Sequence, residues 1–576
     1  MRLKSEIWDD EVIALIERQN TAGVPVYNGD KTLSVAVPVY NTHPIYLMAL
    51  VQSLKRQICP RWELVLYSDG TTAYETNKVL NEAEKETKIK VVRSSENRGP
   101  AAAQTAAVLC CTGDYVALCD HDDLLLINAI SDILNAFECH EKAVALYTWE
   151  IILDQTQEPP QPILMPKMDF DIDLLLQYQY CNHMMVFRRE ALLPLLPLRS
   201  EFDGSQDYDL MLRASGQYSK QDQIHCLSIF CYVWRQYGGQ TSSSDFGRAL
   251  CHTRAQRAIQ SHLWKTSVER PRVFKGMADG IYAIAWPIEP EPRVRVIICS
   301  ADNAKVLYDN LSELRRTTSY GNYEVVVVDT GTKDEKALKV VQSLHQPTDS
   351  QYVVRSDPHF NTFNFSWANN IGVMYESGES RPDLLCFLND DCAVTRDWLT
   401  ELVRQAVRPN VGVVGARLIY PDGSLQHIGA SDFGGGPFHP FQKDRSIPSI
   451  GLIVSPRAAV TAACMLTWRN LFESMGGFRT EYESDYQDVD YCYRVLRSGK
   501  KVIYTPYALG IHQEGTSRGC NRDPARNKRD LARLNTNFHE WHPEIDPLLA
   551  AWTFERGLGG WTPINVDCKK AADGVI

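Results

Sequence analysis

The chain has 576 residues, of which 44% are hydrophobic and 23% charged, which is typical of a globular protein and long enough for two hydrophobic cores. Its net charge of −11 argues against a general nucleic-acid-binding surface, which requires a basic footprint. No apolar stretch approaches the roughly 20 residues of a membrane span, and residues 1–20 have the pattern of an amphipathic helix rather than of a signal peptide. The 16 cysteines form no CxxC pair, which favours reduced thiols in a cytosolic protein over zinc or disulfide sites.

The first predicted elements are apolar strands that end in polar residues. Leu33–Asn41 is a β-rich run, a helical pattern follows it, and Trp62–Thr71 is a second β-rich run that ends in an Asp-Gly turn. A third strand, a polar loop and a helix lead to Tyr115–Leu126, in which the acids Asp120 and Asp122 follow an apolar start. Strands that alternate with helices in this way predict a mostly parallel α/β sheet.

The same series of elements recurs in the second half of the chain. Val294–Asn303 and Tyr323–Thr332 have the positions of the first two strands, and Cys386–Thr395, with the sequence CFLNDDCAVT, has that of the acidic strand end. Between the two copies, Trp286–Val294 contains three prolines, which predict an extended connector. The pattern is therefore a repeat of whole domains rather than a solenoid.

The polar residues at the two strand ends, Asp120 with Asp122 and Asn389 with Asp391, have two possible roles. Clustered carboxylates repel each other, so they need either hydration in a surface turn or a compensating cation. In an open α/β sheet, ligands bind at the carboxyl ends of the strands. A hard cation such as Mg²⁺ or Mn²⁺ takes one or two carboxylates and completes its shell with phosphate oxygens and water. Because the pattern occurs twice, a cation site for a phosphate-bearing ligand is favoured.

Each copy also contains an aspartate at the start of an amphipathic helix, Asp207 in the first and Asp488 in the second. A carboxylate is favoured there as an N-cap, because the exposed N–H groups and the helix dipole stabilise it. The alternative is that it accepts a proton from a substrate hydroxyl. Direct displacement at an anomeric carbon needs one such base opposite a stabilised leaving group, and its outcome would be inversion.

The motifs around these residues resemble those of family 2 glycosyltransferases from Leu33 to Trp541. In the second half they are FNFSWANNIG, FLNDD, YPDGSLQHIGA, VTAACML, QDVDYCYR and YTPYALGIHQEGTSRG, and this half is especially similar to bacterial O-antigen, capsule and rhamnan-type enzymes. In the first half they are VPVYN, SDGT, CDHDD, QDYDLMLR and YVWRQYGGQTSS. The resemblance implies two GT-A domains in tandem.

The resemblance also implies a role for each candidate residue. Asp207 and Asp488 match the catalytic base, and Asp122, Asp391 and His512 match metal ligands. The positions that match donor-binding residues are Pro38, Tyr40, Asn41, Asp69, Asp120, Ser300, Asp302, Asp329, Asn370 and Asn389. For His512, a packed core histidine is the competing interpretation.

Both halves depart from the family pattern. In the first, Val233 stands where relatives often carry the metal-binding histidine, and Gln104 and Thr105 replace an Arg-Asn pair. In the second half, Cys299 replaces a usual proline. The departures in the first half make its catalytic inactivity an alternative to two active halves.

The predicted fold class is α/β, with two GT-A (Rossmann-like, mostly parallel sheet) domains in tandem and a helical C-terminal tail. The expected boundaries are a helical extension over 1–32, domain 1 over 33–275, a Pro-rich linker over 276–293, domain 2 over 294–520 and the tail over 521–576. The arginine-rich stretch Ser517–Leu534 is expected to form a solvated face or to contact a donor diphosphate or a lipid phosphate.

By this resemblance, the chain is expected to be a cytosolic, bifunctional and inverting glycosyltransferase. It would transfer sugars from UDP- or dTDP-linked donors, with Mg²⁺ or Mn²⁺, to a growing bacterial surface polysaccharide of O-antigen or capsule type, rhamnose-containing glycans included. The expected acceptor is a glycan or lipid-linked glycan, with peripheral contact to the inner membrane through the basic tail and no nucleic-acid partner. Two alternatives remain open: one catalytic half beside a glycan-binding or scaffolding half, and a sugar nucleotidyltransferase, which needs clustered acids and a metal but no helix-start base.

Overall fold

A computed structural model describes residues 25–155, 161–220, 223–238, 245–302, 304–336, 339, 351–355, 363–376, 381–432, 436–483, 485–514, 524–539 and 541. Within these ranges the chain divides into two compact units: unit 1 comprises residues up to 268 together with 273–275, and unit 2 comprises 269–272 and the residues from 276 onward. Most of the N-terminal extension and the end of the predicted tail lie outside the described residues.

Unit 1 is built on one sheet of nine described strands. They are β1 Leu33–Val39, β2 Trp62–Asp69, β3 Ile89–Ser94, β4 Tyr115–Leu118, β5 Leu124–Leu125, β6 Ala145–Asp154, β7 Gln161–Met165, β8 Met185–Arg188 and β9 Ile224–Gln236. Their order is β3-β2-β1-β4-β8-β6-β9-β5, with β7 paired to β6. Strands β3, β2, β1 and β4 are parallel, whereas β8 is antiparallel to both of its neighbours.

The helices of unit 1 connect these strands. They are α1 Pro44–Lys55, α2 Tyr74–Ala83, α3 Pro100–Leu109, α4 Ala129–Cys139, α5 Ile172–Leu175, α6 Arg189–Leu192, α7 Gln206–Gln217 and α8 Asp245–Thr266. Helix α3 shows how the sequence sets a start: Gly99 has a φ of 89°, a region that favours glycine, and Pro100 occupies the first turn, where no N–H donor is needed.

Unit 2 contains a second large sheet. The short β10 Arg272–Lys275 lies mainly in unit 1, and β11 Tyr282–Ala285 lies in unit 2. The strands of the second large sheet are β12 Val294–Ser300, β13 Tyr323–Asp329, β14 Gln351–Arg355, β15 Leu384–Leu388, β16 Cys392–Val394, β17 Val411–Ile419, β18 Leu425–His427, β21 Ser455–Pro456, β22 Cys464–Trp468 and β23 Lys501–His512. The order is β14-β13-β12-β15-β22-β17-β23-β16, with β18 on β17 and β21 on β23. A separate pair is formed by β19 Ser431–Asp432 and β20 Pro437–Phe438.

The helices of unit 2 are α9 Ala304–Thr317, α10 Phe365–Met374, α11 Trp398–Ala406, α12 Arg469–Ser474, α13 Gln487–Arg497 and α14 Pro524–Asn537. Strand β15 has the sequence LLCFL and is buried at every position, as a central strand covered on both faces requires. Among the helices that the structure describes, none is long and apolar enough to cross a membrane.

The two sheets share one register in their parallel halves, which allows residue-by-residue comparison. Leu33 pairs with Trp62 and with Tyr115, and Val294 correspondingly pairs with Tyr323 and with Leu384. Counting along the strands, Asp120 therefore takes the place of Asn389, and Asp122 takes that of Asp391. The expected α/β class, with two tandem domains, is confirmed.

A buried ion pair links the first strands of unit 2 to helix α10. Arg295 Nε lies 2.6 Å from Glu324 Oε1, and both side chains are almost fully buried. The Arg295 guanidinium also donates to the carbonyl oxygens of Gly372, Val373 and Tyr375, at the end of α10. The pair therefore holds a helix end against the sheet from inside the core.

The basic helix α14 packs against unit 2 at the segment before α13. Asp530, which is fully buried, accepts hydrogen bonds from the backbone N–H groups of Glu483 and Asp485. Arg529 and Arg533 form ion pairs with the Glu483 carboxylate at 2.7 and 3.3 Å. The described part of the predicted tail thus has a structural role in unit 2, and these two arginines are bound to a carboxylate.

Candidate active sites

The two adjacent acids of unit 2, Asp390 and Asp391, have different partners. The Ser300 hydroxyl donates to Asp390 Oδ2 at 2.7 Å, and Asn310 Nδ2 donates to the Asp390 carbonyl at 2.9 Å. Asp391 Oδ1 instead lies 3.0 Å from His512 Nε2. Asp390 therefore anchors the loop to the end of β12, and Asp391 is directed to the histidine of β23. Ser300, predicted to bind the donor, uses its hydroxyl to hold this loop.

The neighbours of His512 determine which of its ring nitrogens carries the proton. Gln426 Nε2 donates to the Glu514 carboxylate at 3.3 Å, so Gln426 Oε1 is the atom that faces His512 Nδ1, at 2.8 Å. Because an amide oxygen only accepts, Nδ1 carries the proton. In the neutral ring, Nε2 then presents a lone pair beside Asp391 Oδ1 and 3.2 Å from Asn389 Nδ2. His512 Nε2 and Asp391 Oδ1 therefore face each other with a lone pair each, an arrangement in which both atoms would bind one cation.

Gln426 should therefore tune the metal affinity of unit 2 without binding the metal itself. We expect Gln426→Leu to weaken Mn²⁺ binding by about 10–100-fold, because the imidazole loses the partner that orients it. Electron paramagnetic resonance of free Mn²⁺ measures this in a protein that also carries Asp120→Ala, so that unit 2 supplies the site. The matched control is Gln442→Leu, since Gln442 donates to the Tyr420 hydroxyl. Equal affinities in the two variants would contradict the prediction.

Asp488 lies in the first turn of α13, as predicted, and is half-buried. Its Oδ2 accepts from the backbone N–H of Ala462, which lies two residues before β22, at 2.9 Å. Two residues on, the fully buried Asp490 binds Arg479 and Arg494 at 3.0 and 2.8 Å. These ion pairs fix the helix start, and so they fix the position of Asp488.

The strand-end residues expected near the nucleotide form turns around the same sheet edge. Asp69 Oδ2 accepts from the N–H groups of Arg98 and Gly99, both at 3.0 Å. Asp329 Oδ1 accepts from the Thr332 N–H and hydroxyl at 2.8 and 2.7 Å. Both carboxylates are buried. They shape the loops that would surround a donor, which is a positioning role.

Asn41 and Asp302 are also equivalent and also shape loops. Asn41 Oδ1 accepts from the N–H groups of Thr72 and Ala73, both at 2.9 Å, and Asp302 Oδ1 accepts from Asp334 N–H at 2.7 Å. Both residues have positive φ, of 46° and 55°. Next to Asn41, the side chain of Tyr40 is 49% exposed, which leaves its ring free to contact a ligand base.

Pro38 and Asn370 complete the set of predicted donor-binding positions. Pro38 is half-buried near the end of β1. Asn370, in α10, donates to the Phe478 carbonyl at 2.8 Å and accepts from its N–H at 3.1 Å. Asn370 therefore holds the Gly-Gly-Phe turn that precedes the helix of Asp488.

In unit 1, Thr105 of α3 accepts from the Leu198 N–H at 2.9 Å.

In unit 1, a histidine that the motif analysis did not single out lies beside the acidic strand end. His183 Nε2 is 3.5 Å from Asp120 Oδ2, and His183 Nδ1 is 3.2 Å from Glu150 Oε2. Burial lowers the pKa of His183, but its hydrogen bonds with the two carboxylates raise it more, so that the pKa lies well above its usual value. Glu150 is buried, and Lys167 Nζ lies 3.7 Å from it.

The other two predicted residues of unit 1 have polar partners of their own. Asp207, in the first turn of α7, accepts a hydrogen bond from Asn182 Nδ2, and burial raises the pKa of this carboxyl group. Asp122 Oδ2 accepts from the Tyr237 hydroxyl at 2.7 Å. Asp209 binds Arg199 and Arg213, as Asp490 binds its two arginines in unit 2. The helix-start arrangement is therefore repeated.

The structure corrects the position assigned to the missing histidine. Leu124 pairs with Val233, whereas the equivalent residue of unit 2, Ala393, pairs with Ile511. Val233 thus corresponds to Ile511 and is buried in an apolar cluster, and the next residue, Trp234, takes the place of His512. The substitution in unit 1 is tryptophan for histidine.

The donor set in each unit fits a hard cation that also binds phosphate. Among the described residues, no group of three or more His, Cys, Asp and Glu side chains is arranged to hold a metal ion by itself. Asp391 with His512, and Asp120 with His183, supply two candidate ligands in each unit. Mg²⁺ and Mn²⁺ are commonly held by one or two protein ligands, with substrate phosphates and water in the remaining positions.

Gln426 and His427 both lie in the quoted motif YPDGSLQHIGA, but the sequence by itself assigned no role to either residue. His427, from YPDGSLQHIGA, is buried, and its Nδ1 lies 2.9 Å from His439 Nδ1 while its Nε2 accepts from the Thr461 N–H at 3.3 Å. Burial, followed by the charges of neighbouring groups, lowers the pKa of His427 well below its usual value. The neutral His427 therefore holds the segment that precedes β22, which also contacts Asp488. The adjacent Gln-His pair was the available signal.

Comparison with known proteins identifies the family. Residues 34–195 and 295–464, more than half of the chain, match Glycosyl transferase family 2. The O-antigen biosynthesis protein RfbC of Myxococcus xanthus is 31% identical over 504 residues, which cover 85% of this chain and 38% of that protein. An uncharacterized protein, y4gI of Sinorhizobium fredii, is 31% identical over 94% of this chain and 59% of its own length. The chain thus spans about two fifths to three fifths of these relatives.

Among solved structures, the mannosyltransferase PcManGT of Pyrobaculum calidifontis, in complex with GDP-Man and Mn²⁺, has a TM-score of 0.34 and 17% identity over 50% of this chain and 76% of its own. Staphylococcus aureus TarS with UDP-GlcNAc has a TM-score of 0.35 and 19% identity over 42% of this chain and 68% of its own. With two matched segments, one in each unit, the chain belongs to glycosyl transferase family 2.

Proposed function

We propose that both units are metal-dependent, inverting glycosyltransferases that act on a growing bacterial surface polysaccharide. Each would take a sugar from a nucleotide-diphosphate donor. The relative RfbC, named for O-antigen biosynthesis, supports a polysaccharide of that type. Capsule-type and rhamnose-containing glycans remain predictions. The donor nucleobase stays open between UDP- and dTDP-linked sugars, and a glycan or lipid-linked glycan is the proposed acceptor. Cytoplasmic location and peripheral membrane contact also remain predictions.

One observation carries the proposal: the same two-residue segment connects the predicted base to the acidic strand end in both units. In unit 2, Ala462 N–H donates to Asp488 and the Ala463 carbonyl accepts from Asn389 N–H at 3.1 Å. In unit 1, the equivalent residues are Asn182, which donates to Asp207, and His183, which faces Asp120. In both units, the proposed base and the edge proposed to bind the diphosphate are therefore connected through this segment.

This arrangement suits a single displacement. A helix-start carboxylate takes the proton from an acceptor hydroxyl, whose oxygen attacks the anomeric carbon as the bond to the diphosphate breaks on the opposite face. A divalent cation, held by Asp391 and His512 in unit 2, would stabilise the charge on the departing diphosphate. Inversion follows because each unit offers one helix-start base at the sheet edge.

The products of two single variants test whether there are two active sites. Asp207→Asn should abolish one glycosidic linkage and spare the other, and Asp488→Asn should do the reverse, because sites without shared partners act independently. Linkage analysis by mass spectrometry and nuclear magnetic resonance, over a panel of donors and acceptors, gives the result. If both variants lose the same bond and no other, only one unit is catalytic or the two form one site. Formation of nucleotide-sugar rather than a glycosidic bond would instead indicate a nucleotidyltransferase.

The metal assignment in unit 2 is testable separately. Asp391→Ala and His512→Ala should each weaken metal-dependent donor binding, because each removes a group that orients the cation and through it the diphosphate. Isothermal titration of nucleotide-sugar, with and without Mn²⁺, measures the coupling. Asp397→Ala, at an exposed position just before α11, is the control. A titration that either site substitution leaves unchanged refutes the ligand role of that residue.

A further inference from the structure

We propose that His183, together with Asp120, binds the divalent cation of unit 1. This inference rests on the proposed function of unit 1. The acidic strand end is common to both units, but the imidazole that accompanies it comes from a different strand in each. In unit 1 it comes from the segment just before β8, and in unit 2 it comes from the end of β23.

The geometry at His183 is close to that of a metal ligand. Neighbouring ligand atoms about 2.1 Å from one cation lie about 3.0 Å from each other in an octahedral shell. His183 Nε2 and Asp120 Oδ2 are 3.5 Å apart, so a shift of about 0.5 Å brings them to that spacing. The Asp120 side chain is 54% exposed, which leaves room for phosphate oxygens and water in the rest of the shell.

The opposite side of the ring is held as metal-binding histidines are generally held. Glu150 Oε2 lies 3.2 Å from His183 Nδ1 and also accepts the His183 backbone N–H at 2.7 Å. Lys167 Nζ donates to the His183 carbonyl at 2.8 Å and lies beside Glu150. A carboxylate on Nδ1 fixes the ring orientation and increases the basicity of Nε2. The structure therefore directs Nε2 toward Asp120. When the cation binds, it replaces the proton that Nε2 otherwise shares with Asp120, and that proton is released to water.

Comparison of the two units gives independent support. Met185 pairs with Leu118, and Met465 pairs with the equivalent Phe387, so that His183 takes the place of Ala463. Conversely, Trp234 takes the place of His512. The Trp234 ring lies against His183, with 5.8 Å between the ring centroids. The two units thus have their histidines on opposite sides of the acidic motif, and in unit 1 the ring of Trp234 lies beside that of His183.

Metal binding by the full chain tests the inference without relying on sugar transfer. Asp391→Ala and His512→Ala are combined first, to remove the site of unit 2, and Mn²⁺ alone is titrated by electron paramagnetic resonance. We expect one remaining site, which His183→Gln weakens by at least about 10–100-fold, the range seen when supporting groups of a metal site are removed. His225→Gln, which alters a half-buried histidine stacked on His140, serves as the matched control and should leave the affinity unchanged.

A rescue variant separates ligation from a structural effect of the substitution. His183→Ala with Trp234→His moves the imidazole to the position it has in unit 2, and it should regain Mn²⁺ affinity that His183→Ala alone lacks. Thermal unfolding confirms that each variant is folded. The inference is overturned if the parent binds no Mn²⁺ in unit 1, if His183→Gln binds it unchanged, or if the rescue variant is folded but regains no affinity.

The failure of this inference is distinguishable from the failure of the proposed function. Sugar transfer by unit 1 is assayed in a protein with Asp488→Asn. Transfer together with unchanged Mn²⁺ affinity in His183→Gln refutes the ligand role only. Mn²⁺ binding that depends on His183, without transfer by unit 1, supports the ligand role and refutes catalysis by that unit.

Discussion

Asp488→Asn is expected to lower sugar transfer by unit 2 by two to four powers of ten, about the contribution of a positioned general base. Asparagine keeps the shape of the side chain and an oxygen that can accept the Ala462 N–H, so α13 should keep its start. What is lost is the ability to take the acceptor proton. Initial rates at saturating donor and acceptor, for the linkage assigned to unit 2, measure the effect.

Asp485→Asn is the matched control for this variant. Asp485 lies just before α13, and its carboxylate accepts from Asn527 Nδ2 at 3.4 Å, away from the Ala462 segment. Its rate should remain near that of the parent. Donor binding should also survive in Asp488→Asn, because the carboxylates and histidine of the strand end are untouched. Near-parental turnover of Asp488→Asn would exclude the base assignment.

Glu324→Ala is expected to destabilise unit 2 by about 3–5 kcal/mol, because it leaves the buried charge of Arg295 without its carboxylate. Arg295 also holds the end of α10, so the loss should spread to the helix that carries Asn370. Hydrogen exchange of peptides from β12, β13 and α10, analysed by mass spectrometry, measures the local opening free energy. Catalytic effects are expected to follow from unfolding rather than from the chemistry.

The equivalent glutamate of unit 1 provides an internal control. Glu63 pairs with Ser34 across the same two strands, but its partners are the Ser34 hydroxyl and the Thr112 and Gly113 N–H groups. Glu63→Ala breaks charge-assisted hydrogen bonds without stranding a buried charge, so its cost should be nearer about 1.5–3 kcal/mol. A loss in Glu324→Ala no larger than in Glu63→Ala would show that Arg295 finds water or another carboxylate when Glu324 is removed.

The two units share one arrangement of acids but differ in the imidazole that lies beside it. The helix-start aspartates Asp207 and Asp488 recur in both units, and in both units the aspartate two residues later is paired with two arginines. These features recur because they depend on one helix and its immediate neighbours. The imidazole differs, because any strand that ends near the acidic motif can supply it. Sequence motifs therefore identify residues that depend on one helix, whereas they do not identify residues that a distant strand brings to the site.

The sequence by itself determined the strands, the helices, the repeat and the acids at the strand ends. These features depend on local patterns: apolar runs such as Leu384–Leu388 form buried strands, and polar residues follow where the strand leaves the sheet. Asp207 and Asp488 were recognised for the same reason, since a helix start is visible in a short segment.

Tertiary structure alone decided which of these residues meet and in which direction they point. Asp390 and Asp391 are neighbours in sequence, yet one binds Ser300 and the other faces His512. Val233 was predicted to stand in the place of the metal-binding histidine, whereas the strand register makes Trp234 the equivalent of His512. A shift of one residue along a strand turns each side chain to the other face. His183 meets Asp120 only because β8 pairs with β4, a long-range contact that no local pattern contains.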